Sequence, residues 1–333
     1  MLRDKVTGPS SVAPVRLALI GCGGIGRVHA GAVRELPAVS IQRYIDTAAA
    51  VAETLAREHG STDWSVDPND ALLRGDIDGV IVATPHGTHL DLAQRAAAAR
   101  KHLFLEKPMA LRFPDAQRLE AAIRAARIVC GVDFTFRASP AVRAVKTQIL
   151  RPLVLDLHVA AEPLTGTWRG DASHGGVMAD VGSHLLDLAC HFASSSPARV
   201  YAAGGRFARR AGLPDTFAVT LTFLNGAVAQ LTIGEYGRSP RLSKWWGSAS
   251  DGTRLATLWD HLTAVRIVEG ARVLVELPPG KPRVGHHKAM LAAFVAAIRS
   301  EGDVAAGVDD GVRAVRLADA VYESIGTGRP VAL

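Results

Sequence analysis

Cysteine is scarce in this 333-residue chain: Cys22, Cys130 and Cys190 stand alone, far apart and without a Cys-x-x-Cys pair. That usage excludes a disulfide framework and a thiolate zinc site, and it fits a reducing, cytoplasmic setting. Nowhere do eighteen apolar residues run uninterrupted, so no segment reads as a membrane-crossing helix and a soluble protein is expected, with no membrane partner. Residues 1–14 lack the apolar stretch of a secretory signal and read as a disordered tail. Charge of one sign is not concentrated either. The 38 Lys and Arg against 32 Asp and Glu leave +6, but they are scattered rather than gathered into a stripe that would follow a phosphate backbone. No nucleic-acid partner is expected, whereas a small anionic ligand is compatible. Fixed-period repeats and low-complexity tracts are also missing. What remains is a composition of 48% hydrophobic and 21% charged residues, typical of a globular chain. Its length suffices for two domains at about 150 residues each.

From residue 15 to 133, short apolar runs alternate with longer amphipathic stretches, the pattern of a parallel sheet built from strand-helix-strand units. Strands are expected at 16–20, 40–45, 79–83, 102–105 and 128–132, with a short one near 64–66. Helices are expected at 47–59, 89–99 and 114–127, where Ala and Leu recur at spacings of three and four. Such a doubly wound sheet receives ligands at the carboxyl ends of its strands. After residue 134 the texture changes. A helix at 140–150, with Ser139 as its cap and Pro140 in the first position, precedes a strand at 153–161. Further strands are expected at 199–207, 216–224, 227–235, 254–258, 264–268 and 272–277, with Asn225-Gly226 as a hairpin turn, and helices at 286–299 and 309–325. The fold class is therefore α/β: a doubly wound Rossmann domain over 15–133, then an α+β domain with a mainly antiparallel open sheet over 134–333.

The first strand runs straight into Gly21-Cys22-Gly23-Gly24-Ile25-Gly26, a G-x-G-x-x-G followed by a helical stretch. The first glycine permits a tight turn, the second lets the backbone approach a pyrophosphate and the third allows close helix-sheet packing. Asp46 closes the next strand, where a carboxylate accepts from a ribose 2′-hydroxyl and repels a 2′-phosphate. No Arg or Lys follows it closely. NAD is thus the expected cofactor, with NADP the alternative. Cys22, in this crowded loop, reads as packing rather than as a nucleophile.

Farther along, residues 83–89 (Ala-Thr-Pro-His-Gly-Thr-His), Ala93, Ala96, and residues 101–108 (Lys-His-Leu-Phe-Leu-Glu-Lys-Pro) lead to residues 175–184 (Gly-Gly-Val-Met-Ala-Asp-Val-Gly-Ser-His) and the closing 322–329. Together these resemble the glucose-fructose oxidoreductase, inositol dehydrogenase and rhizopine catabolism (Gfo/Idh/MocA) family over nearly the whole chain. The resemblance implies an N-terminal Rossmann domain that binds NAD or NADP. It also implies a C-terminal domain whose open sheet supplies the substrate pocket and much of the interface of a homo-oligomer, commonly a dimer or tetramer. By position it places Thr84, Pro85 and His89 in the loop skirting the cofactor, Glu106 and Lys107 at the end of the fifth main strand, and Asp180 and His184 with Lys107 in the catalytic set. No metal is implied.

The chemistry of these residue types agrees. Oxidising a secondary alcohol needs an acceptor for the hydroxyl proton, a task suited to His184 because imidazole titrates near neutrality. Lys107 would stabilise the developing alkoxide, and Asp180 would orient His184 or the substrate. Asp187 and His191 continue the same helical face; Asp187 reads as core-facing, bonded to backbone or to a histidine. Three positions depart from the family pattern: Arg100, His174 within a usual glycine run, and residues 134–137 (Phe-Thr-Phe-Arg). Arg137, Trp168, Arg169 and His174 are candidate substrate contacts. The expected activity is hydride transfer between nicotinamide and a secondary alcohol or ketone of a sugar, cyclitol or related polyol. Two alternatives are a glycosidase that retains NAD and uses transient oxidation, and a non-catalytic dinucleotide sensor.

Overall fold

Alternating strands and helices build the first sheet: β1 (Val15–Ile20), α1 (Gly24–Arg34), β2 (Val39–Ile45), α2 (Ala49–Glu58), β3 (Trp64–Ser65), α3 (Asn69–Leu72), β4 (Gly79–Val82), α4 (His89–Ala98), β5 (His102–Leu105), α5 (Phe113–Ala126) and β6 (Cys130–Val132). The structure, a computed structural model, describes residues 13–163, 166–208, 212–237, 243–280 and 284–333. Apart from its last two residues, the tail expected over 1–14 lies outside these. All six strands are parallel in the order β3-β2-β1-β4-β5-β6. Every residue of β4 is buried, as befits a strand covered by helices on both faces. The strand order reverses between β1 and β4, which opens a crevice beyond their carboxyl ends.

The chain continues through α6 (Pro140–Gln148), β7 (Val154–Ala160), α7 (Ser183–Ala193), β8 (Pro197–Gly205), β9 (Thr216–Phe223), β10 (Val228–Gly234), β11 (Trp245–Ser250), β12 (Arg254–Trp259), β13 (Ala264–Glu269), β14 (Arg272–Leu277), α8 (Val284–Ile298), α9 (Val308–Thr327) and β15 (Val331–Ala332). The nine strands form one sheet in the order β14-β13-β12-β11-β7-β10-β9-β8-β15. Its neighbours are antiparallel except β7 and β10. Period-two alternation puts Phe217, Val219, Leu221 and Phe223 of β9 into a core shared with α7 and α9, and leaves Ala218 exposed on the other face. Ser139 does not cap α6 through its side chain; its hydroxyl donates to the Leu262 carbonyl at 2.6 Å.

The last two helices join the two sheets. Met290, Leu291, Phe294 and Val295 of α8 belong to the core of the parallel sheet, where Phe294 meets Phe104 at 5.4 Å between ring centres. Helix α9 is divided, with Ala314 and Val315 in that core and Leu317, Ala320 and Val321 in the other. Strand β11, which has no apolar alternation to read, is held by Gly247: a Cβ there would lie 2.5 Å from the Asp156 carbonyl oxygen.

Arg137 sits in this joint rather than among substrate contacts. Its guanidinium donates to both Asp187 oxygens at 2.9 and 2.5 Å and to Asp310 at 3.1 Å, with 8% of its side chain exposed. Asp187, expected to bond backbone or histidine, holds this arginine instead, and burial pushes its carboxyl up to about 6 against the opposing pull of Arg137. Replacing Arg137 by Met leaves the buried Asp187 carboxylate without its cation, while Asp310 keeps Arg313, and should cost about 3–5 kcal/mol in urea unfolding. A carboxyl whose folded-state pKa is raised destabilises as pH rises through its unfolded value. The deficit should therefore be larger at about pH 8 than at about pH 5; a pH-independent deficit would contradict this assignment.

Candidate active site

The crevice begins where β1 turns into α1. Gly21 has φ +97°, and a Cβ on it would lie 2.5 Å from the Ala83 carbonyl oxygen. At Gly26 a Cβ would sit 2.0 Å from the Gly21 oxygen, so this glycine brings helix and loop together and does not border the cleft. A Cβ at Gly23 or Gly24, by contrast, meets nothing within 4 Å. The first turn of α1 has no side-chain cap, leaving backbone N–H groups for an anion. Asp46 fixes this end: it accepts from the N–H of Cys22 at 2.9 Å and of Ala48 at 3.0 Å while facing the cleft. Burial, and after it Asp46, pushes the Cys22 thiol up to about 12, in keeping with a packing role.

A single cleft of about 820 Å³ runs from Gly21, Gly23, Gly24, Ile25 and Asp46 past Thr84 and Pro85 to Glu106, Lys107, Asp180 and His184. Trp168 and Arg169 also line it; Arg137, His174 and His89 do not. His89 is fully buried, with ring nitrogens 2.8 Å from the carbonyl oxygens of Pro108 and Thr84, so it braces the loop before α4 against the segment carrying Lys107. His174 serves as a tie between the two halves. Its Nδ1 accepts from the Gly87 N–H at 3.0 Å, and its carbonyl lies 3.1 Å from His86 Nδ1. Burial and then Lys107 push His86 down to about 2, so it is neutral and donates there. Trp168 packs edge-on against both imidazoles, and Arg169 lies over its ring at 4.9 Å.

Lys107 and Asp180 meet across the cleft. The Lys107 ammonium donates to the Asp180 carbonyl oxygen at 2.6 Å and lies 3.7 Å from its carboxylate, which also faces Arg169 Nε at 3.4 Å. Asp180 belongs to a π-helical turn, Met178–Gly182, that leads into α7 and delivers His184 one turn later. The His184 ring is boxed by Phe136, Trp245 and Phe134 at 5.1, 5.7 and 6.3 Å between centres.

The cleft wall also holds a group that spacing along the chain does not reveal, three of whose four members line the cleft with Lys107. His29 from α1, Glu106, Asp133 after β6 and His287 from α8 are all buried, with one donor atom from each within 4.8 Å of the others. Direct hydrogen bonds span the group, His29 Nε2 to Glu106 at 2.8 Å and His287 Nδ1 to Asp133 at 2.6 Å. Burial favours protonation of Glu106, but the hydrogen bond from His29 and the neighbouring cations hold it well below the carboxylate range; burial dominates at Asp133 and raises it. His29 follows Gly26 by three residues, the only sequence proximity that could have pointed to it.

Comparison with known proteins then decides the family. Residues 15–134 match an oxidoreductase family with an NAD-binding Rossmann fold, 141–246 match the GFO/IDH/MocA C-terminal domain, and 279–333 match the family's C-terminal alpha/beta domain. The chain belongs to the Gfo/Idh/MocA family. It is 27% identical to an uncharacterised oxidoreductase, YrbE, of Bacillus subtilis strain 168 over 95% of both chains. It is also 27% identical to the inositol 2-dehydrogenase of Rhizobium meliloti strain 1021, over 96% of this chain and 99% of that one. Among solved structures, a levoglucosan dehydrogenase in complex with NADH superposes with TM-score 0.88 at 21% identity, covering 96% and 99% of the two chains. This Gfo/Idh/MocA protein is thus an NAD-binding oxidoreductase. The open faces of Gly23 and Gly24 and the uncapped turn of α1 fit that cofactor.

The contrast between the glycines is testable by thermal or urea unfolding. Gly26→Ala should destabilise by about 1–3 kcal/mol or more, as overpacking does. Gly24→Ala, which meets open space in a helix, should stay within about 1 kcal/mol of the parent. Equal effects would contradict the packing described.

Proposed function

We propose that this protein is an NAD-dependent dehydrogenase that interconverts a secondary alcohol and a ketone on a sugar, cyclitol or related polyol. The observation that carries the reading is the single cleft, which joins the glycine loop and Asp46 to Lys107, Asp180 and His184. The inositol dehydrogenase relative, aligned over nearly the full length of both chains, supports the substrate class. Gly23, Gly24 and the first turn of α1 would hold the dinucleotide phosphates, Asp46 a ribose hydroxyl, and Thr84 and Pro85 the approach to the redox ring. Asp46 favours NAD over NADP because its carboxylate repels a 2′-phosphate.

When bound, NAD supplies the acceptor for the hydride. The chain's own residues handle the proton. His184, fixed by three aromatic rings, accepts the hydroxyl proton, and the Lys107 ammonium stabilises the charge left on the oxygen. Asp180 holds Lys107 through its carbonyl and carboxylate, so its support goes to the lysine. Trp168 and Arg169 bound the substrate end of the cleft. The exposed Tyr201, Leu255 and Val273 on the open face of the large sheet support a homo-oligomer through that face. Three buried free cysteines support a cytoplasmic protein. No helix among the described residues is long and apolar enough to cross a membrane.

With a panel of sugars and inositols read at the nicotinamide absorbance, one member should give a steady rise of NADH. Lys107→Ala should bind NAD as the parent does and lose turnover by roughly 100-fold or more. Full activity in that variant contradicts the mechanism. In His184→Ala the acid limb of the oxidation pH profile should disappear; a limb that persists assigns the base to another group.

A further inference from the structure

Arg169 is a charged group at the substrate end of the cleft to which alcohol oxidation by itself gives no task. It follows Trp168, whose ring sits edge-on to His86 and His174 at 5.0 and 5.4 Å between centres, and the hydrogen bond from Gly87 to His174 ties the same segment to the other half of the protein. An anchored piece of backbone therefore carries the guanidinium, which lies over the Trp168 ring at 4.9 Å. Its Nε is 3.4 Å from Asp180 Oδ1, and among the described residues its two terminal nitrogens make no hydrogen bond. Lys107 Nζ stands 3.7 Å from that same Asp180 oxygen. Two cations thus flank one carboxylate oxygen, close enough together for a single small molecule to meet both.

We infer that the substrate is a sugar acid, an aldonate or a uronate. Lys107 meets its reacting hydroxyl, and the terminal nitrogens of Arg169 take its carboxylate a few bonds away, in the two-pronged geometry that a guanidinium offers a planar anion. The inference rests on the dehydrogenase reading given above and narrows its substrate class. Lys244 brings a further cation to the same end, 5.8 Å from the centre of the Trp245 ring that boxes His184. A neutral polyol needs an acceptor for each hydroxyl proton it buries. Asp180 and Glu162 are the acids at this end, and no Asn or Gln lines the cleft among the described residues. The chain's balance of +6 agrees with an anionic ligand. The reaction is the one already described: the carbinol carbon gives its hydride to NAD, the hydroxyl gives its proton to His184, a ketone results, and the carboxylate is unchanged.

The experiment compares initial rates of the full-length enzyme at saturating NAD on matched pairs: gluconate with sorbitol, glucuronate with glucose, and galacturonate with galactose. Myo-inositol and glucose 6-phosphate complete the set. At least one acid should exceed its neutral counterpart in kcat/KM by about 10-fold or more. Arg169→Gln removes the charge and the fork at a half-exposed position and should cut that preference by roughly 10-fold or more, through KM rather than kcat. Arg169→Lys keeps the charge without the fork and should fall between Arg169→Gln and the parent. Neutral polyols oxidised as well as or better than their acids, glucose 6-phosphate ahead of every acid, or an undiminished preference in Arg169→Gln would each overturn the inference and leave the dehydrogenase reading standing. Turnover of no compound, acid or neutral, would remove that reading and the inference with it.

Discussion

An ammonium group with a tenth of its side chain exposed must be held on every side, and the contact of Lys107 with Asp180 is where the two halves of this protein do so. The lysine leaves the end of β5; its acceptor sits on a π turn ahead of α7. The 2.6 Å hydrogen bond therefore closes the cleft across two sheets that share no strand. Burying such a charge is costly unless a carbonyl and a carboxylate are arranged around it. The surrounding structure meets that requirement from both sides.

On one side, the reversal of strand order between β1 and β4 opens the crevice, and the glycine contacts of the first turn let backbone line it. On the other, the large sheet and α7 present Asp180 and His184 from a rigid surface. Helices α8 and α9 return to the first core, and Arg137 with Asp187 and Asp310 pins the joint. His174, Gly87 and His86 add a polar tie at the mouth. Each of these contacts resists separation of the halves and so protects the placement of one ammonium.

The parallel sheet was legible because its strands are apolar runs bounded by helical periods, and the glycine loop because its spacing sits between a strand and a helix. Lys107, Asp180 and His184 were legible through family motifs, and all three border the cleft. Other features leave no local mark. Strand β11 turns Gly247 and Ala249 inward, where small residues give no hydrophobic alternation. Arg137 and His174 carry groups that recognise ligands as readily as they recognise the protein, and only the folded chain reveals that Asp187 and Gly87 take them. The group of His29, Glu106, Asp133 and His287 joins residues up to 258 positions apart, a proximity that no periodicity encodes.

The most direct measurement is the structure of the ternary complex with NAD and an inert polyol. The account predicts one substrate hydroxyl oxygen within about 2.6–3.2 Å of both the Lys107 ammonium and a His184 ring nitrogen, on the carbon that faces the redox ring. A polyol whose hydroxyl meets neither group, or a redox ring bound away from Lys107, would contradict it.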